Sequence, residues 1–225
     1  FQPLYDLLID NIISDKDRKN AIKSLNEIVK INVDFLGGYY IGEPDTSILR
    51  KNSSKLSLLS KEFDNYNFYK KSRNIDYNQI YPQNILYFIR NFLDCSLDRK
   101  ILPLDYFVGC ACGTSEIIFA LSSITNTELG FLRYSQRRKD NEVKIIKEQE
   151  SKIKKNILNK RVGCFEDIVC TRKSLKKVLE EVQKFGANYI KGFSVIDSNK
   201  RRNINKELNL SNFKVFSLKK KWINN

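Results

Sequence analysis

The chain has 225 residues, of which 41% are apolar and 29% charged, with a net charge of +14 and no His. That length suits one large domain or a core with a modest cap, and the composition supports a packed interior. The missing His excludes Ser-His-Asp triads, Cys-His pairs and His-assisted metal hydrolysis, so any chemistry rests on carboxylates, Lys, Arg, Tyr, Cys or backbone amides.

Residues 3–13 and 16–32 read as helices, the second with Ala21, Leu25, Ile28 and Val29 near helical spacing. Residues 34–55 contain Gly37-Gly38, Pro44 and several Ser and Asn, which predicts irregular or hairpin-like chain. Residues 62–80 read as an exposed, partly ordered connection. Pro82 opens a helix to about Cys95, with Ile85, Leu86, Phe88, Ile89 and Phe92 as its buried face.

From about residue 104 the pattern alternates. A strand over 106–108 leads through a turn at 109–115 into a helix over 116–124. A strand over 129–134 follows, then a charged loop with 143–147 as a candidate strand, then a strand over 162–169. The clearest helix runs from Ser174, a suitable N-cap, to Phe185. Leu175, Val178, Leu179, Val182 and Phe185 form its apolar face, and Gly186 ends it. Strands over 189–196 and 213–218 close the chain. This alternation predicts an α/β fold, a parallel sheet flanked by helices, over residues 101–225. Residues 1–100 form a mainly helical or irregular N-terminal extension or cap.

The positive charge is concentrated. Residues 1–132 carry 15 basic and 16 acidic groups, whereas 133–161 carry 11 against 4 and 191–225 carry 9 against 2. A lysine-rich bias would act along the whole chain. The two basic segments therefore point to polyanions, either substrate phosphates or nucleic acid. No apolar run approaches the ~18 residues of a membrane span, and no basic stretch followed by an apolar run opens the chain. Five Cys in a lysine-rich chain are expected as reduced thiols in a cytoplasm. With no His, a zinc site at Cys110-x-Cys112 would need four thiolates or carboxylates. Small residues packed at a strand end are the simpler reading.

Ligands of open parallel sheets bind beyond the C-terminal strand ends, and two turns there carry chemistry. The first is Gly109–Ser115, where small residues and a following helix N-terminus suit a phosphate. Such a turn can equally serve geometry alone. The second is Phe165–Leu175, where a strand ends in Glu166 and Asp167 before a loop with hydroxyls and basic groups opens a helix. Adjacent acids at a strand end are costly unless they face water, a cation or sugar hydroxyls. The helix start favours phosphate. Together the acids and the helix start would grip a sugar and its phosphate.

Residues 162–197 resemble the signature region of type I phosphoribosyltransferases: apolar residues, two acids, a Thr-containing phosphate loop, a helix ending at Gly and a strand ending in Asp. VGCACGTSE at 108–116 resembles the family's pyrophosphate loop, and LGFLRYSQRRK at 129–139 the strand and mobile loop of orotate-type members. The resemblance covers roughly residues 104–220. It implies binding of phosphoribosyl pyrophosphate with Mg²⁺ and displacement of pyrophosphate by a nitrogenous base. Glu166 and Asp167 would hold ribose hydroxyls and metal-bound water. Cys170, Thr171, Arg172, Lys173 and Ser174 would surround the 5′-phosphate. Ala111, Cys112, Gly113 and Thr114 would contact pyrophosphate. Arg133, Arg137, Arg138 or Lys139 would close over the departing charge, Arg133 being the catalytic choice. A homodimer is compatible with this reading. Two departures stand out: Arg172 replaces the usual Gly, and Ser198 follows Asp197 where orotate-type members have Arg. Ser198 argues against orotate recognition, while Arg172, the two basic segments and the unmatched first hundred residues support an alternative, a divergent fold acting as a ligand sensor or effector in a nucleic-acid-associated regulatory or defence complex. No G-x-G-x-x-G follows an early strand, which disfavours a dinucleotide-binding oxidoreductase.

Overall fold

Five parallel strands form the sheet, in the order β2-β1-β3-β4-β5, in a computed structural model that describes residues 2–65, 82–98, 103–110, 113–135, 139–169, 173–197 and 215–217. They are β1 (Tyr106–Cys110), β2 (Glu128–Leu132), β3 (Arg161–Val169), β4 (Tyr189–Asp197) and β5 (Val215–Ser217). All four inner registers are parallel, among them Gly109 opposite Phe165 and Phe165 opposite Phe193. Parallel strands need crossover helices. These are α5 (Ser115–Thr125), α6 (Lys147–Ile157) and α7 (Lys173–Lys184). Four more helices precede the sheet or cover it: α1 (Gln2–Ile9), α2 (Asp15–Ile41), α3 (Thr46–Asn65) and α4 (Pro82–Leu97).

The sheet separates two cores. On one face Phe107, Phe165 and Phe193 meet Leu4, Tyr5 and Leu8 of α1, Leu25 and Ile28 of α2, Phe88 and Phe92 of α4, and Ile117 to Leu121 of α5. The aromatic rings stack closely, with Phe165 4.8 Å from Phe193 and Phe92 5.2 Å from Phe193. On the other face Val108, Val162 and Cys164 meet Ile153 and Ile157 of α6 and Leu175, Val178, Leu179 and Val182 of α7. One face of the sheet is therefore covered jointly by α5 and by α1, α2 and α4 from the first hundred residues.

The strands match the sequence reading closely. Three elements do not. The expected irregular stretch 34–55 is helical apart from the turn at Gly42–Asp45, because α2 runs on through Gly37-Gly38. A side chain at Gly37 would overlap Ser123 of α5, so the glycine permits helix contact rather than breaking the helix. Residues 143–147 form no named strand: Lys144 makes a single antiparallel bridge to Arg133, and the chain turns into α6 at Lys147. The helix expected from Ser174 starts at Lys173, which places Ser174 inside the first turn rather than at its cap. The connection expected over 62–80 lies outside the described residues beyond Asn65.

Candidate functional site

The strand order reverses between β1 and β3. From β1 the chain moves outward to β2 through α5, and from β3 it moves the opposite way to β4 through α7. Because such crossovers share one hand, opposite directions put their helices on opposite faces. The core clusters agree: α5 packs in the aromatic core and α7 in the aliphatic one. Two helix N-termini therefore flank one crevice at the C-terminal edge of adjacent strands, where open α/β sheets take ligands.

The described parts of both sequence motifs meet at this edge. A side chain at Gly113 would collide with the Asp167 carboxylate, so the acid of β3 sits directly against the turn that opens α5. Only a residue without Cβ allows that approach. Thr114, at the N-cap of α5, is fully buried and makes no side-chain cap bond, and its Oγ1 has no partner among the described residues. Glu116, in the first turn of α5, accepts a hydrogen bond from the Tyr40 hydroxyl of α2. Burial, with the adjacent Glu116 carboxylate, raises the Tyr40 pKa well above that of a free tyrosine.

The two acids do not share an environment. Neighbouring residues of a strand point to opposite faces, and β3 continues through Val169. Glu166 therefore follows Val162 and Cys164 toward α7, and Asp167 follows Phe165 toward α5. Burial pushes the Glu166 pKa up to about 8, with the neighbouring Asp167 charge adding to it and the Leu175 backbone N–H of α7 opposing. Its Oε2 is buried without a hydrogen-bond partner among the described residues. Burial likewise raises the Cys110 thiol, followed by the charges of Glu166 and Asp167, which keeps it protonated.

Of the other residues singled out by sequence, Lys173 is exposed and Ser174 half-buried, both in the first turn of α7. Lys139 is exposed in a left-handed conformation, φ 56°. Ala111, Cys112, Arg137, Arg138, Cys170, Thr171 and Arg172 lie outside the described residues. So does most of 191–225, which is described only over 191–197 and 215–217.

Arg133 is committed elsewhere. It is 3% exposed and donates to Asp6 at 2.7 Å, while also binding Asp10 through both terminal nitrogens. Asp140 lies 3.4 Å from its Nε, and Lys144 bridges Asp10 and Asp140 at 3.5 and 3.3 Å. Burial would lower its pKa, but the bonds to Asp10 and Asp6 outweigh that and hold it charged. A guanidinium tied to three carboxylates joins α1 to the end of β2 and is not free to close over a leaving group. The signal for this hub was present: Asp6 and Asp10 stand four apart in a largely apolar N-terminal stretch. The Tyr40–Glu116 contact had no such sequence signal.

The basic surplus of 133–161 is also partly used inside the molecule. Arg161 pairs with Asp105 at 2.7 Å and Lys154 with Glu150 at 2.6 Å. Lys147, Lys152, Lys155 and Lys160 are exposed. Among the described residues no group of three or more His, Cys, Asp or Glu converges to hold a metal ion. A groove of about 320 Å³ between α2 and α3 is lined by those helices and the turn joining them, not by the strand ends.

No protein-family model matches the chain, and no curated protein matches it in sequence. Solved structures do show similarity. A purine phosphoribosyltransferase of Pyrococcus horikoshii is 21% identical, over 51% of this chain and 70% of that one, with a TM-score of 0.37. Adenine phosphoribosyltransferase of Saccharomyces cerevisiae is 18% identical, over 61% and 79%, with a TM-score of 0.43. A Neisseria gonorrhoeae protein solved with bound ppGpp is 12% identical, over 61% and 79%, with a TM-score of 0.46. Phosphoribosyltransferases are among the structures this fold is similar to. No helix among the described residues is long and apolar enough to cross a membrane.

Proposed function

We propose that the crevice between β1 and β3 binds phosphoribosyl pyrophosphate or a related nucleotide. The observation that carries this reading is the seating of the Asp167 carboxylate on Gly113. It joins two motifs 54 positions apart at the topological switch point. The α5 N-terminus and the Gly113 turn suit a pyrophosphate group, and the first turn of α7, with Ser174, suits a terminal phosphate. Asp167, between them, would accept from ribose hydroxyls.

A transferase reaction on this ligand would break the bond from the anomeric carbon to pyrophosphate and form one to a ring nitrogen of the acceptor. The chain's part would be positioning and electrostatic stabilisation of the departing anion. Mg²⁺ commonly binds through one or two carboxylates together with substrate phosphates. Asp167, through water, fits an ion arriving in that form, and the ion would neutralise charge on the leaving phosphates. Titration calorimetry with Mg²⁺ and phosphoribosyl pyrophosphate tests the proposal. Saturable heat in the wild type that is abolished in Asp167→Ala is expected, and equal heats in both would refute it.

A second reading rests on α6, which exposes Lys147, Lys152, Lys154 and Lys155. A divergent site of this kind could sense a ligand within a nucleic-acid complex, with α6 along a phosphate backbone. Affinity for nucleic acid would then fall steeply with salt. A flat salt response removes this reading.

A further inference from the structure

Glu166 and Asp167 look like one functional pair in the sequence, but the fold sends them to opposite sides of the sheet. β3 is one strand from Arg161 to Val169, and beyond the acids it pairs with β4 again at Ile168–Ile196 and Val169–Asp197. Successive side chains of a strand point to opposite faces of the sheet. Gly113 makes room for Asp167. Glu166 instead continues the row of Val162 and Cys164, whose neighbours are α6 and α7. There it lies against the Leu175 backbone N–H, in the first turn of α7, where a helix has unpaired donors and a positive dipole end.

Ser174 is inside the helix rather than capping it. A carboxyl reaching up from the neighbouring strand can do the work of a cap, fixing the height and orientation of the first turn.

We propose that Glu166 is a positioning residue that holds the first turn of α7, and that Asp167 alone of the two acids faces the ligand. The second half rests on the phosphate-ligand reading above, whereas the first half does not. The changes are read by amide hydrogen exchange across α7 and by calorimetry with Mg²⁺ and phosphoribosyl pyrophosphate. Glu166→Ala should speed exchange of the Leu175 amide tenfold or more, Glu166→Gln should restore most of the protection, and Asp167→Ala should leave it within threefold of wild type. In calorimetry Asp167→Asn should weaken binding more than thirtyfold and Glu166→Gln less than fivefold.

Should Glu166→Ala fail to fold, Glu166→Gln and Glu166→Met carry the same comparison, since both keep the volume and only Gln keeps an acceptor. Unchanged protection of Leu175 in the Ala or Met variant overturns the positioning role. Equal weakening by Glu166→Gln and Asp167→Asn overturns the division between the acids. A wild type that binds no ligand removes the functional reading instead, and the exchange data still decide the role of Glu166.

Discussion

The two faces of the sheet are built on different principles. The face under α1, α2, α4 and α5 is aromatic and carries a buried ion cluster around Arg133. The face under α6 and α7 is aliphatic, with a buried thiol and a single strongly perturbed acid, Glu166. The first face depends on residues far away in sequence: Tyr5 donates to the Phe131 carbonyl at 2.8 Å, and Asp6 binds Arg133 across 127 positions. The second is assembled from crossover helices next to the strands they connect. The difference teaches that α1, α2 and α4 are structural partners of the sheet, while the crevice lies where the two faces meet.

The most severe way to break the comparison is to remove the first face. A fragment of residues 103–225 exposes Phe107, Phe165 and Phe193 and is expected not to fold, as read by loss of a cooperative thermal transition in circular dichroism. A folded fragment of native melting temperature would show that the aromatic core is dispensable. Next comes Arg133→Ala, which leaves Asp6, Asp10 and Asp140 without their shared cation. Breaking a buried ion pair by removing one partner costs about 3–5 kcal/mol, and urea denaturation measures it.

Glu166 sharpens the comparison from the other side. Its native carboxyl, with a pKa of about 8, keeps a proton that the unfolded chain releases near its ordinary value of 4.5. The native state thus binds more protons through that window, so stability falls as pH rises across it and levels off above 8. Glu166→Gln should flatten this slope and stabilise the protein at pH 8 by on the order of 2 kcal/mol relative to wild type. A wild-type slope that survives in the variant would assign it to other groups. The smallest effect belongs to Asp105, which lies at the opposite edge of the sheet. The Arg161 side chain holds its pKa down to about 2, but both side chains are about a third exposed. Solvent screening leaves Asp105→Asn under about 1 kcal/mol, lost as pH falls below the ordinary carboxylate range.

Much of this architecture was legible in the residues. The strands announce themselves as apolar runs, and α7 by its five-residue apolar face. α6 was not legible, because only Ile153 and Ile157 are buried in a helix otherwise covered with charge. The path of α2 through Gly37-Gly38 was hidden because the reason for glycine is Ser123, 86 positions away. The contact between Gly113 and Asp167 is equally non-local. The proposed divergence of the two acids follows the alternation of Val162, Cys164 and Glu166 against Phe165 and Asp167, although the sequence reading took them as one gripping pair.

The most direct test is a map of amide shifts in ¹⁵N-labelled protein titrated with Mg²⁺ and phosphoribosyl pyrophosphate. The account predicts saturable shifts at Gly113–Glu116, at Asp167 and in the first turn of α7. Shifts confined to the groove between α2 and α3, or spread along α6, would contradict it.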